Sequence, residues 1–405
     1  MSDVQAAIER VAGFQVAAVH AGLKKDGVLD FALVVSDRPA ATGGVFTTNE
    51  VKAACVVVNM AKLAQNPNDI RAVAINTRCA NACTGQQGID NANVTARYVA
   101  EKLGIEESAV LVLSTGVIGT QLPMENIRRG VDLAAQGLGH DWTSAAQAIL
   151  TTDTRPKQAS VRVTKANGET YQIAGISKGA GMIAPNMATM LAVVVTDAVV
   201  EQAQPMLRQA AEISFNRIVV DGDMSTNDTL FLMANGASGV KVETQADVEQ
   251  FQQALNAVCI KLAQDIVRDG EGVTKFVTLH ITGAPDDAAA HRIANTVATS
   301  PLVKTAFYGN DANWGRVIAA AGRAGVALEP AKLRLMIAAG EEPRDDLLLF
   351  CNGVTASYNE ADASAIFAES SISLWLDCGQ GDGTATVWTC DLSHDYVSIN
   401  GDYRS

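Results

Sequence analysis

A chain of 405 residues, 48% apolar and 19% charged, has room for two domains or one large one and is too apolar for general disorder. Its net charge of −13 argues against nucleic acid or an anionic membrane surface as the main partner. No apolar run reaches bilayer length, and MSDVQAAIERVAG lacks the basic-then-apolar pattern of a leader, so a cytoplasmic protein is expected.

The early chain reads as short strands and turns. Residues 31–35 predict a strand. FTTN, residues 46–49, leads into an apolar run over 53–59, which local sequence reads as a hairpin arm. Residues 72–75 predict a buried strand that runs into NTRCANACTG, residues 76–85, a cluster of small polar groups at a strand end. An amphipathic helix is predicted over 91–103, with Asp90 as its cap. Of the seven cysteines only Cys79 and Cys83 are close, and no histidine spacing completes a metal set, so buried reduced thiols and no metal are expected.

Residues 109–113 predict another strand, followed by STGVIG, residues 114–119. Its two glycines let the backbone approach a ligand closely, as they also would in an ordinary strand-to-helix loop. Pro123 suits the first turn of a helix to about 135, and 141–150 predicts a short helix. TTDT, residues 151–154, reads as a turn, and strands are predicted over 160–163 and 171–174.

KGAGMIAPNMATMLAVVVTD, residues 178–197, changes character midway. Its glycine-rich first part, with Pro185, is irregular, and 190–195 is a β-branched run that predicts a buried strand. Thr189 stands at the joint. Cutting the bond between Ala188 and Thr189 would give Thr189 both a hydroxyl and a free α-amine, a nucleophile carrying its own base. An ordinary strand-opening threonine is the competing local reading.

A helix is predicted over 204–215, and a short strand over 218–220 enters DGDMSTNDT, residues 221–229. That segment lacks the spacing of an EF-hand and reads as a polar turn. A long helix over 245–268, capped by Thr244, precedes Glu271 between two glycines and a strand over 273–281. Residues 288–299 predict a helix, and FYGNDANWGR, residues 307–316, an unusual loop suited to packing. Strands are predicted over 333–337, 371–376 and 384–390, and the C-terminus YVSINGDYRS suggests a strand-like start and an Asn-Gly turn. The alternation predicts a mixed α/β fold of layered sheets flanked by helices.

FTTNEVKAACVVVN, STGVIG, TTDT, KGAGMIAPNMATML, NDANWGR and the C-terminus, in this order over nearly the whole chain, resemble the ornithine acetyltransferase (glutamate N-acetyltransferase) family of arginine biosynthesis. That resemblance implies an N-terminal-nucleophile fold shared with related aminopeptidases. It implies self-cleavage between Ala188 and Thr189 into chains 1–188 and 189–405, assembled as a heterotetramer of two of each. The activity implied is acetyl transfer from N2-acetyl-L-ornithine to L-glutamate through an acetyl-Thr189, with acetyl-CoA as a further donor and no metal or organic cofactor.

Matching positions imply an oxyanion hole at Thr115 and Gly116 and substrate contacts from Thr152, Lys178, Thr189, Glu271, Asn400 and Ser405. Two departures stand out. The family has serine, glycine and asparagine where this chain has Thr77, Arg78 and Cys79, and a terminal threonine where it has Ser405. An N-terminal-nucleophile aminopeptidase or amidase, with water as acceptor, and an uncleaved binding or structural protein are the rival readings.

Overall fold

The computed structural model describes residues 4–25, 27–184 and 190–402. It divides into two compact units: Met1–Gly179 with Asn186–Asn216 and Met224–Ile266, and Ala180–Pro185 with Arg217–Asp223 and Val267–Ser405. The predicted division at 188/189 concerns a covalent cut, whereas these units follow packing. It therefore differs from them without conflict.

In the first unit the elements run β1 (Phe14–Val19), β2 (Phe31–Phe46), α1 (Ala54–Gln65), β3 (Ile70–Asn76), α2 (Gly85–Leu103), β4 (Val110–Ser114), α3 (Met124–Gln136) and α4 (Trp142–Ala148). They continue with β5 (Lys157–Thr164), β6 (Thr170–Lys178), β7 (Leu191–Thr196), α5 (Ala203–Glu212), β8 (Thr229–Ala234) and α6 (Gln245–Arg268), whose last turn passes into the second unit. The sheet order is β4-β3-β2-β8-β7-β6-β5, with β1 paired to β2. All six residues of β7 are buried, because a central strand covered on both faces has no solvent side to alternate with. Trp142, Ala145 and Ile149 pack against one set of strand side chains; α1, α2 and α3 cover another.

The second unit holds β9 (Phe276–Ala284), α7 (Asp287–Ala298), α8 (Pro301–Tyr308), α9 (Trp314–Gly322), β10 (Arg334–Ala339), β11 (Leu347–Cys351) and β12 (Val354–Thr355). It ends with α10 (Glu360–Phe367), β13 (Ser371–Asp377), β14 (Gly383–Cys390) and α11 (His394–Gly401). Its sheet order is β12-β11-β10-β13-β9-β14. The loop predicted over 307–316 is shorter: residues 309–313 join α8 to α9, and Trp314, the first residue of α9, stacks on Phe350 with ring centroids 5.3 Å apart. The mixed α/β class of sheets flanked by helices is as the sequence predicts.

Four local expectations are corrected. The apolar run 53–59 enters helix α1 rather than a hairpin arm. Its β-branched residues favour strand, but Ala54, Cys55, Val56 and Val58 bury one helical face, and buried Asn59 both donates to and accepts from Val112 of β4. Helix α2 starts at Gly85, not at 91. Asn81 holds its first turn through the Gly88 carbonyl, and Asp90 lies inside the helix, taking Gln86 Nε2. Residues 218–220 form only an isolated bridge, Ile218 to Trp388. Residues 394–401 form helix α11 rather than a strand, capped by Ser393 accepting from the Tyr396 amide.

Candidate active site

Strand β4 delivers Thr115 and Gly116 into a constrained turn. The Thr115 amide donates to Asn76 at 3.1 Å, and Val117 donates to the Arg78 carbonyl at 3.1 Å. Gly116 has φ of +133°, and a Cβ there would lie 2.2 Å from the Arg78 carbonyl carbon, so only glycine fits. The adjoining loop is itself strained, with Arg78, Asn81 and Cys83 all at positive φ. Strain of this kind persists only where the surroundings over-determine it, and here two asparagines do so. Asn76 donates to the Cys79 carbonyl at 3.0 Å and accepts from Ser114 Oγ at 2.7 Å. Asn227 donates to the carbonyls of Ala80 at 2.6 Å and Ser114 at 2.8 Å.

Asn227 belongs to DGDMSTNDT, which the sequence reads as a polar turn. In the structure Ser225, Thr226, Asn227 and Asp228 are buried. Asp228 Oδ1 accepts the Met190 amide at 3.0 Å, and burial pushes its carboxyl well above the ordinary carboxylate range. Met190 is the residue after Thr189. Ala188 and Thr189 themselves, like Ser405, lie outside the described residues. Chain pairing brackets the junction: Lys178 at the end of β6 pairs with Leu191 at the start of β7.

Lys178 is not a loop lysine but a buried residue, 2% exposed. Its Nζ donates to Thr115 Oγ1 at 3.5 Å and lies 3.9 Å from Asp153 Oδ2. Asp153 follows Thr152 in the turn after α4, and Thr152 is half-buried there. The Asp153 carboxylate takes Lys157 Nζ at 2.6 Å, the Gly179 amide at 2.6 Å and the Thr151 amide at 3.0 Å. Burial alone would raise this carboxyl, but Lys178 and Lys157 overcome it and hold it well below its ordinary value. Asp153 and Asn227 are the residues that sequence reasoning missed. The signal for each was its place inside an otherwise noticed motif.

The second unit gathers its own set. The Glu271 amide donates to Ala180 at 2.9 Å, and its Oε2 accepts Asn400 Nδ2 at 2.7 Å. Gly181 presses on that carboxylate so closely that a Cβ would lie 2.3 Å from Oε2. Asp221 accepts the Met182 and Ile183 amides at 2.6 and 2.9 Å and the Tyr396 hydroxyl at 3.1 Å. Its carboxyl is thereby occupied by donors rather than open to a cation. Among the described residues no group of three or more metal-ligating side chains converges. Burial pushes the Cys79 thiol up, and its Sγ is held by the Thr120 carbonyl at 3.0 Å. The expected residues thus fall into two groups: Thr115, Gly116, Thr152 and Lys178 in the first unit, Glu271 and Asn400 in the second.

Comparison with known proteins shows the family. The ArgJ family profile matches residues 15–405. The arginine biosynthesis bifunctional protein ArgJ of Geobacter sulfurreducens is 49% identical over 401 residues, 98% of this chain and 100% of the relative. The protein of the same name from Chlorobaculum tepidum is 46% identical, covering 97% and 96%. A solved ornithine acetyltransferase from Mycobacterium tuberculosis, complexed with ornithine, is 35% identical with a TM-score of 0.42, covering 47% of this chain and 100% of that one. With a family match over nearly its whole length and relatives of this similarity, the chain belongs to the ArgJ family.

Proposed function

We propose that this protein transfers an acetyl group from N2-acetyl-L-ornithine to L-glutamate through an acetyl-Thr189 intermediate, in arginine biosynthesis. The observation that carries this reading is the Thr115–Gly116 turn with the buried Lys178 ammonium at the Thr115 hydroxyl. Such a turn offers a fixed hydroxyl and a backbone amide to a developing oxyanion. The bond between Ala188 and Thr189 is cut first, when the Thr189 hydroxyl attacks the Ala188 carbonyl and water hydrolyses the resulting ester. The new chains stay associated because β6 and β7, from opposite sides of the junction, pair over six residue positions.

In the mature enzyme the Thr189 α-amine, with a reference pKa near ~8, accepts the Oγ1 proton. Oγ1 forms a bond to the acetyl carbonyl carbon, whose π pair becomes the oxyanion. That pair returns as the carbon–nitrogen bond breaks. Ornithine leaves with the transferred proton, and acetyl-Thr189 remains. The neutral glutamate amine then attacks the ester. Its carbon–nitrogen bond forms, the carbon–oxygen bond to Thr189 breaks, and Oγ1 regains a proton. Thr115 and Gly116 stabilise both oxyanions. Thr152, Lys178, Glu271, Asn400 and Ser405 bind the amino acid, with the Glu271 carboxylate suited to a cationic amine.

This chemistry draws on no metal or organic cofactor. Acetyl-CoA serves as a second acetyl donor in this reading, in keeping with the word bifunctional in the relatives' names. The assembly is a heterotetramer of two N-terminal and two C-terminal chains. A cytoplasmic setting suits seven free cysteines, five of them buried.

Intact mass spectrometry of wild type and Thr189→Ala, each mixed with N2-acetyl-ornithine, tests this. Expected are two wild-type chains divided at Ala188 and Thr189, an acetyl adduct on the second chain that glutamate discharges, and an uncut, unacetylated variant. Discharge by water as fast as by glutamate would make the protein an amidase. A single uncut wild-type chain without adduct would sink both catalytic readings.

A further inference from the structure

Three charged side chains are sealed together behind Thr115. The side chains of Asp153, Lys157 and Lys178 are 0%, 1% and 3% exposed. Asp153 Oδ1 takes Lys157 Nζ and the Gly179 amide, both at 2.6 Å; Oδ2 takes the Thr151 amide and faces Lys178 Nζ at 3.9 Å. The carboxylate therefore holds Lys178 twice, at the ammonium and through the backbone of the next residue. One carboxylate against two ammoniums leaves a single positive charge, matching the single negative charge of an oxyanion.

An ammonium has donors only, so Thr115 Oγ1 accepts from Lys178 and keeps its own hydrogen to donate elsewhere. A neutral amine would reverse this, since its lone pair can accept the Thr115 hydrogen. Buried lysines lose their protons readily unless an anion holds the charge. Other charges bear on Lys178. Lys24 before β2 and Arg78 after β3 add positive charge to this cluster, Asp30 adds a carboxylate beside Lys24, and burial pushes the carboxyl of Asp228 before β8 well above its ordinary range. Asp153, within ion-pair distance of Nζ and bonded to the amide of the next residue, is a carboxylate placed to support the Lys178 charge.

We propose that Asp153 is a positioning residue of the acetyl-transfer reaction: it keeps Lys178 protonated and aimed at Thr115, so that the Thr115 hydroxyl points its hydrogen at the oxyanion. The inference rests on the reading of Thr115 and Gly116 as an oxyanion hole. It adds to that reading the residue that sets the direction of the Thr115 hydrogen bond.

The test is the single-turnover rate of acetyl transfer from N2-acetyl-ornithine to the protein between pH 6 and 10. It is measured per molecule divided at Ala188 and Thr189, for wild type, Asp153→Asn, Thr115→Val and the double variant. Asp153→Asn is expected to be slowed about 10- to 100-fold at pH 9 and to recover towards wild type at pH 6, with KM changed less than about threefold. In the Thr115→Val background the same substitution is expected to change the rate less than about threefold at every pH. A pH-independent loss, an undiminished loss in the Thr115→Val background, or a rise in KM at constant kcat would overturn the proposal.

Lys178→Met keeps the Asp153–Lys157 pair balanced and serves if Asp153→Asn does not fold. It should show the slow rate at all pH values, and a change in KM alone would again overturn the proposal. Failure of wild type to acquire an acetyl group would instead overturn the acetyl-enzyme reading itself.

Discussion

Asp153 and Asp228 are both buried aspartates of the first unit, and their carboxyls are pushed in opposite directions. Burial disfavours the charged form at both. At Asp153 two ammoniums and two backbone amides more than offset it, and the group stays ionised. At Asp228 the Met190 amide and nearby hydroxyls do not, so the group is held towards its neutral form. Burial, then, does not decide what a carboxyl does here; the cations that the fold brings to it do. The lowered aspartate stands beside Lys178 and the Thr115–Gly116 turn, and the raised one holds the Met190 amide.

The largest expected effect is on the charged side. Asp153→Ala leaves two buried ammoniums facing each other and should destabilise the protein by about 3–5 kcal/mol at pH 7, read from denaturant unfolding. Because the folded-state value of Asp153 is lowered, its contribution is present above the unfolded carboxylate value near ~3.9 and is lost as pH falls below it. Wild type and variant should therefore converge in acid, and a loss under about 1 kcal/mol at pH 7 would mean that the two lysines are paired elsewhere.

A smaller and opposite effect is expected on the neutral side. The folded-state value of Asp228 is raised, so stability falls as pH rises through the range above ~3.9 towards that value. Asp228→Asn keeps an oxygen for the Met190 amide and removes the ionisation. It should melt higher than wild type at pH 8, by an amount worth about 1–2 kcal/mol, with no gain at pH 4. A lower melting point at pH 8 would show that Asp228 works as an anion and would erase the contrast.

The smallest effect sharpens the comparison from outside. Lys332 and Glu329 of the second unit make a 2.8 Å ion pair with both side chains about half exposed. Lys332→Ala should cost less than about 0.5 kcal/mol and vary with salt. A cost near that of Asp153→Ala would deny that burial sets the scale.

The sequence made its strongest statements where one physical signal acted locally. The apolar, β-branched run opening at Met190 predicted a buried strand, and β7 runs from Leu191 to Thr196. Thr244 capped a long amphipathic stretch, and α6 begins at Gln245. The glycines of STGVIG were legible as a place of close backbone approach, but that Gly116 presses on the Arg78 backbone was not. Elsewhere local propensity was outvoted. The valines of 53–59 became helical because one face and Asn59 had a sheet to pack on. The C-terminal segment became α11 because Ser393 caps it and Asn400 reaches Glu271.

Composition, element order and the motifs themselves determined the fold class and the family. Tertiary structure alone decided how the buried carboxyls and Lys178 face one another. Lys178 and Asp153 stand twenty-five positions apart in sequence, and Asp228 lies fifty beyond Lys178. Only folding sets the distance between them and removes the water that would otherwise screen it, and both quantities enter the energy of a buried charge.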